Sequence, residues 1–298
     1  MYDIIIIGAG PAGISAGIYA VSRGQRTLVL EKGQVGGIIG KVSTVTHYTA
    51  LEAQETGTTF AARMKEQALA AGVEIVYANV TGVALAEEPK TVTTDKGTYE
   101  ARRVILANGS TPRKLGIPGE NELAGKGMGM NAARDGAAYA GKNVYVVGGA
   151  DGAVKEALYL AAFAKHLTII HFEDQLGCIA EFRQKVAAAG NITLRLGSRL
   201  QAVYGQDQVE RLDILNVHDG SVETVEDPGC GIFVYAGLVP NTSLYTELTL
   251  EDGYIPTNEK METALPGVYA AGDIRVKQVR QVATAVSDGA IAAINAAL

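Results

Sequence analysis

Three glycines near the start of the chain and one acid downstream have the types and spacing of a ligand-binding site. Gly8, Gly10 and Gly13 form the pattern G-x-G-x-x-G, and Glu31 follows. In this pattern the first glycine permits a sharp turn, the second lets the backbone approach a pyrophosphate, and the third lets a helix pack close to a strand. An acid about 20 residues downstream accepts a hydrogen bond from a ribose hydroxyl. This set predicts a dinucleotide site, to which a fortuitous glycine-rich turn is the alternative.

The segments around these residues have the pattern of a strand, a helix and a second strand. Residues 4–7 are wholly apolar, as in a strand buried on both faces of a parallel sheet. Residues 14–21 are compatible with a helix, and residues 28–31 with a strand that ends at the acid. The free N–H groups and the positive dipole end of the helix would then face the phosphates.

A second copy of the same unit begins at residue 144. A strand at 144–147, a turn at 148–153, a helix at 154–165 and a strand at 167–171 follow one another. The Pro- and Gly-rich residues 111–119 before this copy are typical of a linker, and residues 229–241 after it would form the return crossing. Other strands are predicted at 73–76, on both sides of the turn at 95–97, at 104–107 and at 267–273, with helices at 59–71 and 281–298.

The composition restricts the class of protein. With 298 residues the chain is long enough for two domains, and 47% hydrophobic with 19% charged residues is a soluble globular composition. A net charge of -6 argues against nucleic-acid binding, and no apolar run reaches the length of a membrane span. The first strand begins at Tyr2, where a signal peptide would otherwise lie. Cys178 and Cys230 are the two cysteines and have no metal-type spacing, so we expect a cytoplasmic protein without a metal site.

Seven short motifs spread over nearly the whole chain form a specific set. They are residues 8–13 (GAGPAG), 36–37 (GG), 105–110 (ILANGS), 117–120 (IPGE), 240–242 (PNT), 271–273 (AGD) and 280–285 (RQVATA). Together they resemble the low-molecular-weight thioredoxin reductase family of flavoproteins. The resemblance implies an α/β fold with two Rossmann-like, three-layer ββα nucleotide-binding domains, the second inserted in the first. The FAD-binding domain would comprise residues 1–112 and 241–298, the NAD(P)-binding-like domain residues 113–240, and the protein would form a homodimer.

The resemblance also implies which residues bind FAD. Gly10, Pro11 and Ala12 would hold the pyrophosphate, Glu31 the adenosine ribose, and Asp273 the ribityl chain, unless Asp273 is only a helix or turn cap. The N–H groups of residues 281 and 282, at the start of the last helix, would face the flavin pyrimidine edge and favour the anionic reduced flavin. The full expected set is Gly8, Gly10, Pro11, Ala12, Gly13, Glu31, Lys32, Gly37, Ile38, His47, Val80, Ala107, Asn108, Gly109, Gly272, Asp273, Arg280, Gln281 and Val282.

Three of these positions depart from the family pattern. Ile38 stands where the family has glutamine, Asn108 where it has threonine, and His47 where it has an asparagine near the flavin. A histidine there could supply protons to reduced flavin. It could equally be a neutral hydrogen-bonding substitute for the amide.

The redox disulfide of the family is absent. Its Cys-x-x-Cys-Asp-Gly motif aligns with residues 131–136, NAARDG, which keep only the final Asp-Gly. Thiol–disulfide exchange needs an attacking and a resolving thiol, and we expect Cys178 and Cys230 to be small buried residues instead. Arg134 replaces the cysteine that lies against the flavin. Its charge could raise the flavin potential, Asp135 could neutralise that charge, or the side chain could turn outward. Arg134, Asp135 and His47 are thus the candidate catalytic residues.

The second nucleotide site is degenerate. Ala150 replaces the glycine that approaches the pyrophosphate, and the family's His-Arg-Arg motif for the NADP 2′-phosphate reads His171-Phe172-Glu173. Glycine also replaces a third arginine, at position 177. Glu173 would repel a phosphate but could accept from an NAD ribose, so NADPH use is not expected, and NADH use and an empty site are both open. The residues of this degenerate site are Gly148, Ala150, Ala153 and Glu173.

The leading hypothesis is an FAD-dependent oxidoreductase without dithiol chemistry. Its donor would be a ferredoxin- or flavodoxin-type protein or a small reductant, since related family branches are thought to use ferredoxin-like donors or a second flavin. One rival is an NADH-dependent flavin reductase or oxidase. Another is a non-enzymatic flavoprotein that senses redox state or scaffolds a partner.

Overall fold

A computed structural model describes residues 1–298, which form two compact units. The first unit is Met1–Thr111 with Val239–Leu298, and the second is Pro112–Leu238. The first unit is therefore discontinuous in sequence. The functions expected of the two units, FAD binding and NAD(P)-like binding, stay predictions.

The chain forms strands and helices in the following order. The first segment contains β1 (Tyr2–Ile7), α1 (Pro11–Val21), β2 (Thr27–Glu31), α2 (Gly57–Ala70), β3 (Glu74–Tyr77), β4 (Val80–Ala84), β5 (Lys90–Thr94), β6 (Gly97–Leu106) and β7 (Ser110–Pro112). The inserted segment contains α3 (Ala132–Asp135), β8 (Asn143–Val147), α4 (Asp151–Ala161), β9 (His166–Ile170), α5 (Ala180–Ala188), β10 (Ile192–Arg195), β11 (Ser198–Tyr204), β12 (Arg211–Asn216), β13 (Val222–Glu226) and β14 (Gly231–Val234). The last segment contains β15 (Leu238–Pro240), β16 (Val268–Ala270) and α6 (Val282–Ala296). None of these helices is both long and apolar enough to cross a membrane.

The first unit is built on a sheet of order β3-β2-β1-β6-β5-β4, with β16 beside β6. β1 is parallel to β2 and β6, while β5 is antiparallel to β6. The prediction of separate strands after the turn at 95–97 and at 104–107 is wrong, because β6 is continuous over ten residues. Its first half pairs with β5 and its second half with β16, so both halves have partners and the strand does not break.

The isoleucines of β1 explain why this strand lies at the centre. Ile4 and Ile6 are fully buried in a cluster with alanines of α1 and α6, and Ile5 lies in the cluster on the other face, with leucines of β2 and β6. Burying such a side chain contributes about 1.5–3 kcal/mol. The two helices touch closely, since a Cβ at Gly289 would lie 2.0 Å from the Ala12 carbonyl oxygen. Small residues on both helices thus hold the N-terminus of α1 in place.

The second unit is a three-layer domain. Its parallel sheet has the order β10-β9-β8-β14. Alternate sheet residues pack against α4 and α5 on one face, and against the antiparallel sheet β11-β12-β13 on the other. The predicted helix at 154–165 is in fact α4, ending at Ala161. There Phe163 and Ala164 both donate to the Leu160 carbonyl, and Lys165 turns away to bond Lys142.

Candidate functional site

The glycine turn between β1 and α1 has the shape of an anion-binding site. Gly8 has a φ of +102°, and a Cβ at Gly13 would lie 1.8 Å from the Gly8 carbonyl oxygen, so both positions require glycine. Nothing lies within 4 Å of where a Cβ at Gly10 would stand. Gly10 is also the N-cap of α1, and no side chain caps that helix. The turn therefore presents open space and a helix N-terminus, which suits a pyrophosphate.

Glu31, at the end of β2, fixes the loops that surround this turn. Its Oε2 accepts from the Ala9 amide at 2.9 Å and its Oε1 from the Gly33 amide at 2.8 Å. A carboxylate oxygen has two lone pairs, so each oxygen keeps one for a ribose hydroxyl. Lys32 beside it is exposed.

The loop after β2 lies directly on the glycine turn. The Gly36 amide donates to the Ala9 carbonyl at 2.9 Å. Gly36 and Gly37 have φ of +113° and +58°, and a Cβ at Gly37 would lie 3.5 Å from the Gly10 Cα. Ile38, which replaces the family's glutamine, has 37% of its surface exposed. The loop thus brings an apolar side chain where the family has an amide.

Asp273 follows β16 and has an unmet hydrogen-bonding atom. Its Oδ1 is buried and has no hydrogen-bond partner. Burial raises the pKa of this carboxyl, and the nearby charges of Lys277 and Arg280 act in the opposite direction. A buried acceptor without a partner is rare in folded proteins. A hydroxyl-bearing ligand at this position would satisfy it, which is the role that the ribityl chain would have.

Sequence reasoning missed the buried ion cluster that supports Asp273. Asp288 on α6 accepts from Arg275 Nε at 2.8 Å, from Lys277 Nζ at 2.7 Å and from the Gly272 amide at 3.1 Å. Burial raises the pKa of Asp288, but the bonds from Arg275 and Lys277 outweigh it and hold that pKa below its usual range. The sequence did contain an indication of this cluster, because Asp288 is the only charged residue in the apolar sequence of α6.

α6 begins one residue later than predicted. Gln281 is extended, with φ -140° and ψ 161°, and is the N-cap. The backbone N–H of Gln281 donates to Thr284 Oγ1 at 3.2 Å, and Val282 is the first residue of the helix. Arg280, just before the helix, has a buried Nε without a hydrogen-bond partner. This end of α6 therefore carries positive potential and at least one unused donor.

Asn108, which replaces the family's threonine, has its side chain engaged within the chain. Its Nδ2 donates to the Asn241 carbonyl at 2.9 Å, and its Oδ1 accepts from the Tyr245 hydroxyl at 2.6 Å. Asn241 Nδ2 returns a bond to the Asn108 carbonyl at 2.7 Å. The substitution thus serves a local network that the sequence pattern did not reveal. Contact of Ala107, Asn108, Gly109 and the half-buried Val80 with flavin stays a prediction.

His47 lies in an exposed loop before α2. Its φ is +56°, and Ala50 and Gln54 in the same loop are also left-handed, at +62° and +61°. The Nδ1 of His47 lies 3.0 Å from Thr46 Oγ1. Left-handed non-glycine residues often mark functional segments. The two roles considered for His47, proton donor and amide substitute, stay predictions.

In the second unit, residues 131–135, which the family resemblance aligns with a disulfide motif, form a capped helical turn. Asn131 Oδ1 accepts from the Arg134 amide at 2.9 Å, and Asp135 Oδ2 accepts from the Asn131 amide at 2.8 Å. Arg134 donates through Nε and Nη2 to the two Asp135 oxygens, at 2.6 and 2.7 Å. These bonds raise the pKa of Arg134 and lower that of Asp135. The Arg134 side chain is 74% exposed, so its charge is paired locally and faces solvent.

Both cysteines are buried, as predicted. Cys178 is 4% exposed and packs with α4 and α5, whereas Cys230 is 1% exposed and packs with β11 and β12. They thus lie on opposite faces of the parallel sheet, and both are free thiols. Burial raises the pKa of both, to about 12 for Cys230. The reactive thiolate form is therefore suppressed.

The second glycine turn has a histidine ring packed against it. The ring of His171 lies against it, since a Cβ at Gly149 would be 2.4 Å from His171 Cδ2. Glu173 Oε2 lies 3.1 Å from His171 Nε2, so this carboxylate already has a partner. Ala150, at the N-cap of α4, is exposed, and Ala153 is buried against Gly148. Phe172 carries the Arg199 guanidinium 4.9 Å from its ring centroid.

Known proteins similar to this chain share its whole length. The family model described as pyridine nucleotide-disulphide oxidoreductase matches residues 2–289. The thioredoxin reductase of Peptoclostridium acidaminophilum is 39% identical over 302 residues, which cover 99% of this chain and 96% of that protein. The crystal structure of Lactococcus lactis thioredoxin reductase has a TM-score of 0.95 at 35% identity, covering 99% of this chain and 98% of that one.

A further similar structure carries ferredoxin in its name. It is a ferredoxin-flavin thioredoxin reductase from Clostridium acetobutylicum, 29% identical, with a TM-score of 0.54 and coverage of 99% of this chain and 96% of that one. These likenesses together confirm the predicted α/β fold with two Rossmann-like nucleotide-binding domains.

Proposed function

The chain belongs to the pyridine nucleotide-disulphide oxidoreductase family of FAD-binding flavoproteins, and within it we propose an FAD-dependent oxidoreductase that works without a cysteine pair. Its electrons come from a donor other than NADPH. FAD supplies the electron transfer, and the protein binds the cofactor and sets its surroundings.

The residues of the first unit fit FAD. Open space at Gly10 and the uncapped start of α1 suit the pyrophosphate. The fixed carboxylate of Glu31 would accept from the adenosine ribose, and the unmet Oδ1 of Asp273 from the ribityl chain. The N–H groups at the start of α6 would donate to the pyrimidine edge of the flavin. The Glu31 carboxylate and Asp273 Oδ1 are available because the chain leaves them partly satisfied or unsatisfied. The backbone amide of Gln281, in contrast, already donates to Thr284 Oγ1.

The positions of the two cysteines are the main support for proposing that the protein has no dithiol chemistry. Exchange requires two sulfurs close enough to bond, with Cα atoms usually within about 7 Å. Cys178 and Cys230 are separated by the parallel sheet and buried among apolar side chains. The position of the family's disulfide holds Asn131 and Arg134 instead, in a capped turn stabilised by its own hydrogen bonds.

The second unit lacks the features that bind NADPH. The 2′-phosphate of NADP needs cations, and the corresponding positions hold Phe172, Glu173 and Gly177. The carboxylate of Glu173 would repel that phosphate. A ferredoxin- or flavodoxin-type protein is the donor we favour, and the similarity to a ferredoxin-flavin thioredoxin reductase supports this choice.

An anaerobic donor screen tests the proposal. The FAD-loaded protein is mixed with NADPH, NADH, reduced ferredoxin or reduced flavodoxin, and the loss of flavin absorbance near 450 nm is followed. We expect a protein donor to reduce the flavin and NADPH not to do so. Rapid reduction by NADPH would refute the proposal, and reduction by NADH would favour the NADH-dependent alternative. If no donor reduces the flavin, a sensor or scaffold remains.

We also propose a homodimer, on the family resemblance alone. Light scattering at micromolar concentration should then give twice the mass of the 31.1 kDa chain. A monomer mass under those conditions would contradict the proposal.

A further inference from the structure

Two unmet polar atoms of opposite kind lie in the segment between β16 and α6 of the first unit. Asp273 Oδ1 is a buried acceptor without a partner, and Arg280 Nε is a buried donor without one. The charge of Arg280 lowers the pKa of Asp273 against the larger effect of burial. An unpaired donor and an unpaired acceptor that do not bond each other indicate a ligand with both kinds of group.

Arg280 is held by an aromatic ring. Its guanidinium carbon lies 4.1 Å from the centroid of the Tyr254 ring. Such a contact uses the face of the guanidinium and leaves its in-plane N–H groups available. Arg275 is the contrasting case nearby, because the Asp288 carboxylate takes up its donors. A ring is therefore the kind of partner that can fix Arg280 and still leave its donors for a ligand.

The position of Tyr254 is itself fixed by backbone bonds. Glu251 and Tyr254 donate to each other's carbonyls at 2.9 Å, across a turn in which Asp252 and Gly253 are left-handed, with φ of +50° and +82°. The next residue, Ile255, bonds the segment that follows Asp273, donating to the Ile274 carbonyl at 3.1 Å and accepting from Val276 at 2.9 Å. The Tyr254 ring and Asp273 are thus attached to one hydrogen-bonded frame.

We propose that Tyr254 is a positioning residue for FAD: its ring holds the Arg280 guanidinium beside Asp273, with the in-plane donors directed to acceptor groups of the cofactor. This rests on the proposed function, since it takes FAD as the ligand. Tyr254 does not touch the reacting atoms. It acts on binding through Arg280.

The first test compares two substitutions at Tyr254. Tyr254→Leu removes the ring face and should raise the dissociation constant of FAD about 5- to 30-fold, which corresponds to a desolvated cation–π contact. Tyr254→Phe keeps the ring and should stay within about twofold of the wild type. Tyr19→Leu is the matched control, because Tyr19 on the exposed side of α1 stacks with Arg23 at 5.5 Å and should not affect FAD binding.

A double-mutant cycle separates positioning from a merely structural role. In an Arg280→Met background, Tyr254→Leu should weaken FAD binding no further, because the ring has no guanidinium to hold. Equal losses in both backgrounds would overturn the proposal. If Tyr254→Leu does not fold, Arg280→Lys keeps the charge but loses the flat stacking group, and an unchanged FAD dissociation constant in that variant would also overturn it.

The outcomes also separate this inference from the proposed function. A wild-type protein that binds no FAD overturns both. A wild type that binds FAD tightly, with a Tyr254→Leu variant that binds it equally well, overturns the role of Tyr254 alone.

Discussion

Replacing Asp273 should change FAD affinity and apoprotein stability in opposite directions. Asp273→Ala removes the acceptor of the expected ribityl hydroxyl. A hydrogen bond to a charged oxygen contributes about 1.5–3 kcal/mol, so the FAD dissociation constant should rise about 10- to 150-fold. Asp273→Asn keeps a neutral acceptor of the same shape, so the FAD dissociation constant should rise only about tenfold.

Stability without FAD should follow the pKa of Asp273. Burial raises that pKa from its ordinary value of 3.8 in the folded apoprotein. As the pH rises from the pKa of the unfolded chain to the higher pKa of the folded protein, the carboxyl of the unfolded chain loses its proton first. The free energy of unfolding therefore falls until the folded pKa is passed. At pH 8 the ionised carboxylate therefore destabilises the apoprotein. Asp273→Asn should stabilise the apoprotein at pH 8 and remove the fall in stability that begins as the pH rises above the ordinary pKa of 3.8.

The assay is a fluorescence titration of apoprotein with FAD, with denaturant unfolding of the same apoprotein samples. Glu259→Gln is the control, because Glu259 is an exposed carboxylate of the same unit. A dissociation constant within about twofold of the wild type for Asp273→Ala, at full FAD stoichiometry, would refute the assignment of Asp273 to the cofactor. If the Asp273→Asn apoprotein has a lower free energy of unfolding than the wild type at pH 8, the buried carboxylate does not destabilise the apoprotein and this reasoning is refuted.

Three other outcomes are expected. Cys178 and Cys230 should not react with a thiol reagent such as DTNB in the native protein at pH 8, and both should react after unfolding; two reactive native thiols would contradict their burial. NADPH should support no thioredoxin reduction above the free-flavin background. Replacing Phe172 and Glu173 with arginine should improve NADPH binding, measured by calorimetry, only in part, because Ala150 remains in the glycine turn. Arg134→Ala should shift the flavin midpoint potential by less than roughly 15 mV, since Asp135 pairs the charge and solvent screens it; a larger shift in a spectroelectrochemical titration would show that the charge reaches the flavin.

The sequence predicted the parts of the fold that depend on local pattern. The four isoleucines of β1, the glycines after them and the acid at the end of β2 lie within about 30 residues. Each has a steric or hydrogen-bonding role that a short sequence pattern can reveal. β10 to β13 were not predicted. β13 is almost wholly exposed and carries Glu223 and Glu226, so it lacks the apolar alternation that identifies a half-buried strand.

The site was harder to predict where contacts join distant residues. Asp288 meets Gly272 and Arg275 only because α6 folds back along β16 and α1, and no spacing rule connects these positions. The separation of Cys178 from Cys230 likewise follows from which face of the sheet each adjoins. Their sequence distance alone would have allowed a disulfide. Such facts require the register of the sheet, which single-sequence patterns do not determine.

The hydrogen-bonding state of the two units indicates where a ligand is needed. In the first unit, Asp273 Oδ1 and Arg280 Nε are buried without partners, although burying an unpaired polar group costs free energy. In the second unit, the groups at the family's functional positions mostly bond one another: Arg134 with Asp135, and Glu173 with His171. The exception is His171 Nδ1, which is buried without a hydrogen-bond partner.

The free energy lost by burying the unpaired atoms of Asp273 and Arg280 is offset only if a ligand supplies a donor to the first and an acceptor to the second. FAD carries both kinds of group. The internal pairs of the second unit would have to break before a phosphate or a ribose could replace them, and the broken bonds would be subtracted from the binding free energy. This difference supports the proposal that the first unit binds FAD. In the second unit, Arg134 is paired with Asp135 and Glu173 lies beside His171, and this supports the proposal that the electron donor is not NADPH.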